Sequence, residues 1–338
     1  MWKSRSKNGT LLIMFRKIEI SHKTIIFTTF FLLGLWFLYY IREIILQLFV
    51  ALLLMTILEP LVVLLTKIKI PRGISVLITY ILVVGLLGGV IAIIAPTLAQ
   101  QTTNFVSALP SYLANIGINY AISGDLVSGV LTQVGAIPGE VLNFTVSILS
   151  NIVAVVTVLV FAFYMLLTHD KLQDQVGFLF GENRKLQIGR FIGAWENKLG
   201  KWARGQLLLM FAVGLGVYIG LLLIGIPFAL PLAILTGILE IIPILGPIVS
   251  AIPAILIGFG ISPLVGLAVV ALSFLVHQLE GYVLVPKIME KSVGVSPLVV
   301  LISIAIGAKL LGIMGVIISV PFVITLQVLA KEYFVAKE

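Results

Sequence analysis

Apolar segments long enough to cross a lipid bilayer follow one another along most of this 338-residue chain. Sixty per cent of its residues are hydrophobic and only 11% are charged, whereas soluble domains average about 25% charged residues. So few charged residues cannot form a water-facing surface. Lipid must therefore cover most of the protein. Because a helix satisfies its own backbone hydrogen bonds in lipid, the sequence predicts an all-α polytopic membrane protein.

The basic residues lie in blocks beside the apolar segments, which is the pattern that fixes membrane topology. No Lys or Arg occurs between Gly73 and Asp170, so we expect the polar part of that interval to lie outside. The prediction is a multi-pass protein of the inner (cytoplasmic) membrane with about six full transmembrane helices and both termini in the cytoplasm. The predicted segments are a basic N-terminus (1–23), N-terminal transmembrane helices (24–95), an extracytoplasmic amphipathic region (96–143), a transmembrane helix (144–167), cytoplasmic amphipathic helices (168–206) and a C-terminal transport unit (207–330).

Two stretches outside the predicted spans have apolar residues at helical spacing. In the external region such a pattern runs from Phe105 to Ile116, and a second runs from Leu126 to Val134. We expect these two short helices to lie against the bilayer or to cap a cavity. The cytoplasmic stripe from Ile188 to Trp202 predicts a helix in the headgroup plane, the alternative being a helix packed on another protein element.

Two segments of the C-terminal third resemble each other and are broken by Gly and Pro. Aligned without a gap, Glu240–Ser250 and Lys309–Ser319 share four identical residues, and Glu240 falls on Lys309. Each segment lies in an apolar run too long for one span, 227–260 and 296–329. Paired broken segments of this kind indicate the binding site of a transporter. We therefore predict two inverted re-entrant helical hairpins around a central site, the first turning at Pro243–Pro247.

Non-helical backbone at membrane depth must be buried or line a wet cavity, so the two breaks predict a substrate or ion site. The alternative is a pair of helix kinks packed against neighbours. Glu280, at the end of another apolar run, is interpreted either as a gate or proton site or as a solvated interfacial acid. The candidate substrate- or ion-binding residues are Glu240, Pro243, Gly246, Pro247, Glu280, Gly307, Lys309, Gly312 and Gly315.

Three interpretations remain open for Glu240 and Lys309, because an unpaired charge at midplane costs about 2.5–3.5 kcal/mol on insertion scales. They pair with each other, they bind substrate or a coupling proton separately, or they reach water near the hairpin mouths. His277 is interpreted as a hydrogen-bonded helix residue rather than a metal ligand. No acid in an apolar run has a second acid near it in sequence, as an intramembrane aspartyl protease would need.

Several classes of function are disfavoured by what the sequence lacks. Cysteine is absent, which excludes disulfides and zinc–thiolate sites. The motifs of zinc proteases, serine hydrolases and nucleotide-binding loops are also missing. We therefore expect neither enzymatic activity, nor a metal site, nor a cofactor, and transport without ATP. The positive net charge of +8 fits membrane topology and requires no nucleic acid.

Five motifs of the C-terminal part carry a resemblance to a known family: Gly225–Leu230, Glu240–Pro247, Glu280–Met289, Val293–Pro297 and Leu311–Pro321. At these motifs the sequence resembles the autoinducer-2 exporter family of bacterial permeases. The resemblance implies a multi-pass inner-membrane exporter that forms a homo-oligomer, with a pentamer as one candidate. Members have been assigned either export of the furanosyl signal or sodium (lithium)/proton antiport.

The function predicted from these observations is export of a small polar metabolite, autoinducer-2 or a similar compound, by alternating access. The first alternative is antiport of a monovalent cation and protons, in which Glu240 and Glu280 would titrate. The second alternative is a membrane scaffold that transports nothing. The predicted partners are thus the lipid bilayer, the transported metabolite or ion, and further copies of the chain.

Overall fold

The computed structural model describes residues 22–115, 152–180, 182–243, 245–289 and 296–331. These parts of the chain are helical apart from short turns, and none of them contains a β-strand. The predicted helix at 126–134 and nearly all of the basic N-terminus lie outside them. The helices are α1 (His22–Tyr40), α2 (Arg42–Lys67), α3 (Arg72–Asn115), α4 (Ile152–Phe180), α5 (Glu182–Ile224), α6 (Ala229–Leu239), α7 (Leu245–Ile261), α8 (Pro263–Leu279), α9 (Val285–Met289) and α10 (Pro297–Ala330).

Within the described ranges, five helical segments are long and apolar enough to cross a membrane. An apolar stretch of α4, Val153–His169, lies where we predicted a further span. The expectation of an all-α polytopic membrane protein is confirmed. The five segments are Lys23–Tyr40, Arg42–Lys67, Arg72–Phe105, Ile188–Ile224 and Pro263–Met289.

The chain divides into two compact units, Met1–Gln47 and Leu48–Glu338. In the first unit α1 exposes nearly all of its side chains, as expected of a helix that lipid surrounds. Aromatic residues gather at its end, where Trp36 stacks on Tyr40 and the Arg42 guanidinium lies 4.3 Å from the centre of the Tyr39 ring. Such aromatic ends are typical of a membrane interface.

In the second unit, α3 is much longer than the predicted span. Its 44 residues extend about 66 Å at 1.5 Å per residue, about twice the hydrocarbon thickness. Its far end includes the first predicted external helix, which packs on protein: Phe105 is buried in a cluster with residues of α5 to α8. The Asn115 side chain donates a hydrogen bond of 3.0 Å to the carbonyl of Gly260 at the end of α7.

Replacing Phe105 with Ala should lower the free energy of unfolding by about 3–5 kcal/mol, the usual cost of deleting a buried aromatic ring. Phe105 is 1% exposed, so the cavity cannot be filled by solvent. The control is Phe30→Ala in α1, where the side chain is mostly exposed. Thermal unfolding in detergent measures both variants, and equal melting temperatures would contradict the packing of α3 on α5 to α8.

The cytoplasmic stripe is part of α5, a continuous helix of 43 residues. Leu199 and Trp202 are buried, and they form a cluster with residues of α10 against which part of α2 packs. Phe191 and Trp195 pack against the same cluster. The expectation of a helix resting in the headgroup plane is therefore wrong, since these stripe residues are covered by protein. The interpretation that the stripe packs on other protein elements is the one the structure supports.

The first broken segment folds back on itself between α6 and α7. A side chain at Gly246 would collide with the backbone of Leu239, although seven residues of continuous helix would separate the two by about 10 Å. The turn runs from Glu240 to Pro243, slightly before the predicted turn, and Pro247 lies in the first turn of α7, where proline is tolerated. With 11 and 17 residues, both arms are shorter than the roughly 20 residues that a span needs.

The second broken segment, α10, also folds back. Its backbone leaves the helical conformation at Gly312, where φ is 61° and ψ is −140°, a region that only glycine adopts readily. The backbones of Gly307 and Gly315 touch, whereas eight residues of continuous helix would separate them by about 12 Å. Gly312 is therefore the tip of a hairpin with two apolar arms, and Ile242 of the first turn packs against the cluster that these arms form with α5.

Candidate functional site

Two buried carboxyl groups meet in the C-terminal part of the fold. Glu240 follows the last residue of α6, and Glu280 opens a π-helical turn, Glu280–Leu284, that continues α8. They are 2% and 7% exposed, and their carboxyl groups are close enough to share a hydrogen bond. The Oε2 atom of each has no hydrogen-bond partner among the described residues. This arrangement is costly unless a proton or a cation lies between the two groups.

A cavity of about 30 Å³ is lined in part by Glu280, the member of the pair that faces it. It has room for one or two water molecules, and it is bounded by α5, α6, α7 and α8. Besides Glu280, its polar lining residues are Thr236, Ser250, Ser273 and His277.

The three hydroxyl-bearing residues of the lining each donate their hydroxyl hydrogen to a backbone carbonyl. Thr236 donates its hydroxyl hydrogen to the carbonyl of Leu232 and Ser273 donates to that of Val269, both at 2.9 Å. Ser250 donates in the same way to the Pro247 carbonyl at 3.0 Å. A hydroxyl that has used its one hydrogen can offer only lone pairs to a ligand.

His277 lies at the open side of the cavity. Its Nδ1 atom is 3.4 Å from Oε2 of Glu280, and its side chain is 44% exposed while that of Glu280 is 9% exposed. Ser273, His277 and Glu280 follow at spacings of four and three residues, which place them on one face of a helix. The imidazole of His277 therefore lies between the buried pair and the exterior of the protein.

Gln206 of α5 fixes the position of the turn that carries Glu240. Its buried amide donates a 2.8 Å hydrogen bond to the backbone carbonyl of Glu240. This carbonyl follows the last residue of α6, and leaving it unpaired in the protein interior would cost about 1–3 kcal/mol. The bond therefore holds the turn, and with it the Glu240 carboxyl, against α5.

Chemically, the site is made of oxygen acceptors, with His277 at its edge. Two carboxylates and three hydroxyl oxygens suit a proton, a hydronium ion or a hard cation, which prefers oxygen ligands. In the parts of the chain that the structure describes, no group of three or more His, Cys, Asp or Glu side chains is placed to hold a metal ion. The site thus has the charge to hold one proton or, in its place, one monovalent cation.

The structure brings together only some of the predicted residues. Glu280 and Pro247 line the cavity, Glu240 lies against Glu280, and Pro243 and Gly246 shape the turn. The interpretation of Glu280 as a solvated interfacial acid is wrong, since it is buried. Lys309 is exposed near the tip of α10 and does not pair with Glu240. Gly307, Gly312 and Gly315 build that second tip and are not part of the cavity lining.

Thr236, Ser250 and Ser273 were absent from the candidate residues. A signal for two of them exists in the sequence, because Thr236 precedes Glu240 by four residues and Ser273 shares the helical face of Glu280. The meeting of Glu240 and Glu280 has no such signal, since forty residues separate them and each looks isolated in its own apolar run.

One family model matches nearly the whole chain. The model of the AI-2E family transporters matches residues 25–334. The chain belongs to the AI-2E transporter family. The predicted resemblance is therefore confirmed, and its extent is greater than the C-terminal motifs on which it was based.

Relatives of this AI-2E transporter occur in distant bacteria. It is 28% identical over 313 residues to YueF of Bacillus subtilis, covering 84% of this chain and 83% of that protein. It is 30% identical over 243 residues to a protein of Thermotoga maritima, covering 70% and 72%. YhhT of Escherichia coli K12 is 36% identical over 119 residues, 34% of each chain. The names of all three provisionally describe transport proteins and specify no substrate.

Proposed function

We propose that this membrane transporter exchanges a monovalent cation for protons, without ATP, at the pair formed by Glu240 and Glu280. The observation that carries the proposal is a small cavity lined by three hydroxyl groups and by Glu280, one of two buried carboxyl groups whose Oε2 atoms lack hydrogen-bond partners among the described residues. A cavity of about 30 Å³ admits a dehydrated ion or a water molecule and is too small for a sugar-sized metabolite. The cargo proposed is Na⁺ or Li⁺, whose preferred ligands are oxygen atoms.

The exchange follows from the charge of the pair. Two carboxylates in contact cannot both be ionised without a cation between them, so the empty site holds one proton. An entering cation interacts with both carboxylates and releases that proton, so the total charge of the site is unchanged. Proton and cation then occupy the same site alternately, which is the condition for their exchange.

Transport also requires that the site open alternately to the two sides of the membrane. We propose that the unit bearing the two hairpins moves against the N-terminal spans, as in transporters built around discontinuous helices. The short arms and the close glycine contacts support hairpins that move as rigid pieces. The opposite orientation of the two hairpins, the cytoplasmic position of both termini in the inner membrane and a homo-oligomeric state belong to the same proposal.

Export of a small polar metabolite such as autoinducer-2 is the second candidate function. It is supported by the name of the family to which the chain belongs. For this function the cavity would have to widen several-fold beyond the volume it has in this conformation.

Reconstituted flux separates these functions. Purified protein in proteoliposomes that contain a pH-sensitive dye would be given gradients of Na⁺, Li⁺ or K⁺ and, separately, autoinducer-2. We expect proton movement that depends on Na⁺ or Li⁺. Uptake of autoinducer-2 without cation-dependent proton movement would overturn the exchange proposal in favour of the second candidate. The absence of any flux would favour the membrane scaffold.

The hydroxyl ligands provide a finer test of the cation site. Replacing Ser273 with Ala should weaken the apparent cation affinity about tenfold, which corresponds to the loss of one good polar contact. The matched control is Ser303→Ala in α10, because Ser303 makes the same bond to the carbonyl four residues earlier but is not part of the cavity lining. Cation-dependent proton flux gives both affinities, and equal values would contradict a role for Ser273.

A further inference from the structure

A second cluster of charged groups lies where α2, α3, α4 and α5 meet, separate from the carboxylate pair. Glu59 of α2 accepts hydrogen bonds of 3.0 Å at both carboxylate oxygens from the Arg72 guanidinium of α3. The same guanidinium donates to the Leu166 carbonyl of α4. His169 of α4 has its Nε2 atom 2.9 Å from Glu196 of α5 and its Nδ1 atom 3.6 Å from Glu59.

The protonation state of His169 decides how strongly it holds the two carboxylates beside it. A carboxylate faces each of its two ring nitrogens, and only the imidazolium has an N–H group on both. Among the described residues, the charged groups that face it are Glu59, Glu196 and Arg72. Neutral His169 carries no charge to attract the carboxylates, and one of the two contacts lacks a donor. All four side chains are only 15–21% exposed, so water replaces the lost contact poorly.

Helix α5 connects this cluster to the candidate ion site. Glu196 and Gln206 lie on the same continuous helix, about 15 Å apart at 1.5 Å per residue. Between them Leu199, Trp202 and Ala203 are buried in a packed cluster, so the helix moves as one body in this stretch. At its other end Gln206 holds the carbonyl of Glu240. When the position of Glu196 is held, the movement of the turn that carries the ion site is therefore restricted as well.

We propose that the protonation of His169 regulates transport, and we call this residue the latch. Charged His169 holds α4 and α2 to α5 and slows the movement of the hairpin-bearing unit. Neutral His169 releases α5. This inference rests on the proposed function, since it names the regulation of the same transport cycle. The hydrogen bond to Glu196 raises the pKa of His169 above the ordinary histidine value. The transport rate should rise as the pH at this end of the helices passes upward through that raised pKa. The latch acts on movement and leaves the cation affinity of the site unchanged.

Flux in proteoliposomes at saturating cation tests the latch between pH 5.5 and 9.5. The wild-type rate should rise about tenfold over this range, the change expected when the hydrogen bond between His169 and Glu196 loses the positive charge of the imidazolium. His169→Gln should be fast throughout and His169→Arg slow throughout. The matched control, His22→Gln at the start of α1, should keep the wild-type step. A step of wild-type size in His169→Gln would overturn the latch.

Amide hydrogen exchange tests the latch without relying on transport. After correction for the intrinsic effect of pH, amides near Leu166 and His169 should exchange about tenfold faster above the raised pKa of His169 than below it in the wild type, the factor expected from the same hydrogen bond. In His169→Arg we expect no such change. If the wild-type protein moves no ion but shows this change, the exchange proposal fails and the latch stands. If ions are exchanged but protection is independent of pH, the latch fails alone.

Discussion

Replacing Glu280 with Gln abolishes cation-dependent proton movement and leaves the protein folded. The amide has about the size of the carboxyl group but neither holds a proton for exchange nor neutralises a cation. Removing one charged partner from a buried site costs about 2–5 kcal/mol, so cation affinity should fall about 30-fold or more. Glu240→Gln should act in the same way. The measurement is dye-reported proton flux in proteoliposomes across a range of cation concentrations.

Stability separates this loss from misfolding. Because the two carboxyl groups lie against each other, an amide at either position removes a source of repulsion, so the melting temperature should stay equal or rise. The control variants are Glu43→Gln, an exposed acid at the start of α2, and Lys309→Met, an exposed residue that does not line the cavity. Both should transport as the wild type does. Normal exchange by Glu280→Gln would remove the carboxylate pair from the mechanism.

Replacing Gly315 with Ala should unfold or displace the second hairpin. A methyl group there would overlap the backbone of Gly307, which cannot move aside as a side chain can. We expect a loss of about 3 kcal/mol, the upper part of the usual range for overpacking. Gly246→Ala should have a similar effect, because its methyl group would overlap the backbone of Leu239. Thermal unfolding in detergent gives the size of both losses.

The matched control is Gly88→Ala in α3, which has no heavy atom within 4 Å of the added methyl group. Helix propensity alone would make that variant up to about 1 kcal/mol more stable. A melting temperature for Gly315→Ala equal to that of Gly88→Ala would mean that α10 does not fold back. Loss of transport together with stability in Gly315→Ala, and of neither in Gly88→Ala, is the expected pattern.

The sequence predicted those parts of the fold that depend on local pattern. The spans follow from apolar length, and the breaks at Pro243 and Gly312 follow from residue types that disfavour a continuous helix. The stripe from Ile188 to Trp202 was ambiguous, because the helical spacing of apolar residues marks an apolar face and does not identify what covers it. Lipid headgroups and another helix select the same residues, so only the packing of Leu199 and Trp202 distinguished the two interpretations.

Only part of the site could be predicted from the sequence, because Glu240 and Glu280 come together only in the folded protein. Symmetry between the repeats suggested Lys309 as the partner of Glu240, but the partner is Glu280, which the repeats do not contain. The repeat relates the backbones of two hairpins, while the chemistry combines the first hairpin with the end of α8. The latch residues Glu59, Arg72, His169 and Glu196 come from four helices, and no spacing in the sequence connects them.

Proton release on cation binding tests the central claim most directly. Sodium chloride would be added to detergent-purified protein in weakly buffered solution near neutral pH, and the released protons and the bound cations would be counted together. One proton released per cation bound, and no release from Glu280→Gln, is the result that the carboxylate pair predicts. Cation binding without proton release, or the same release from Glu280→Gln as from the wild type, would contradict it.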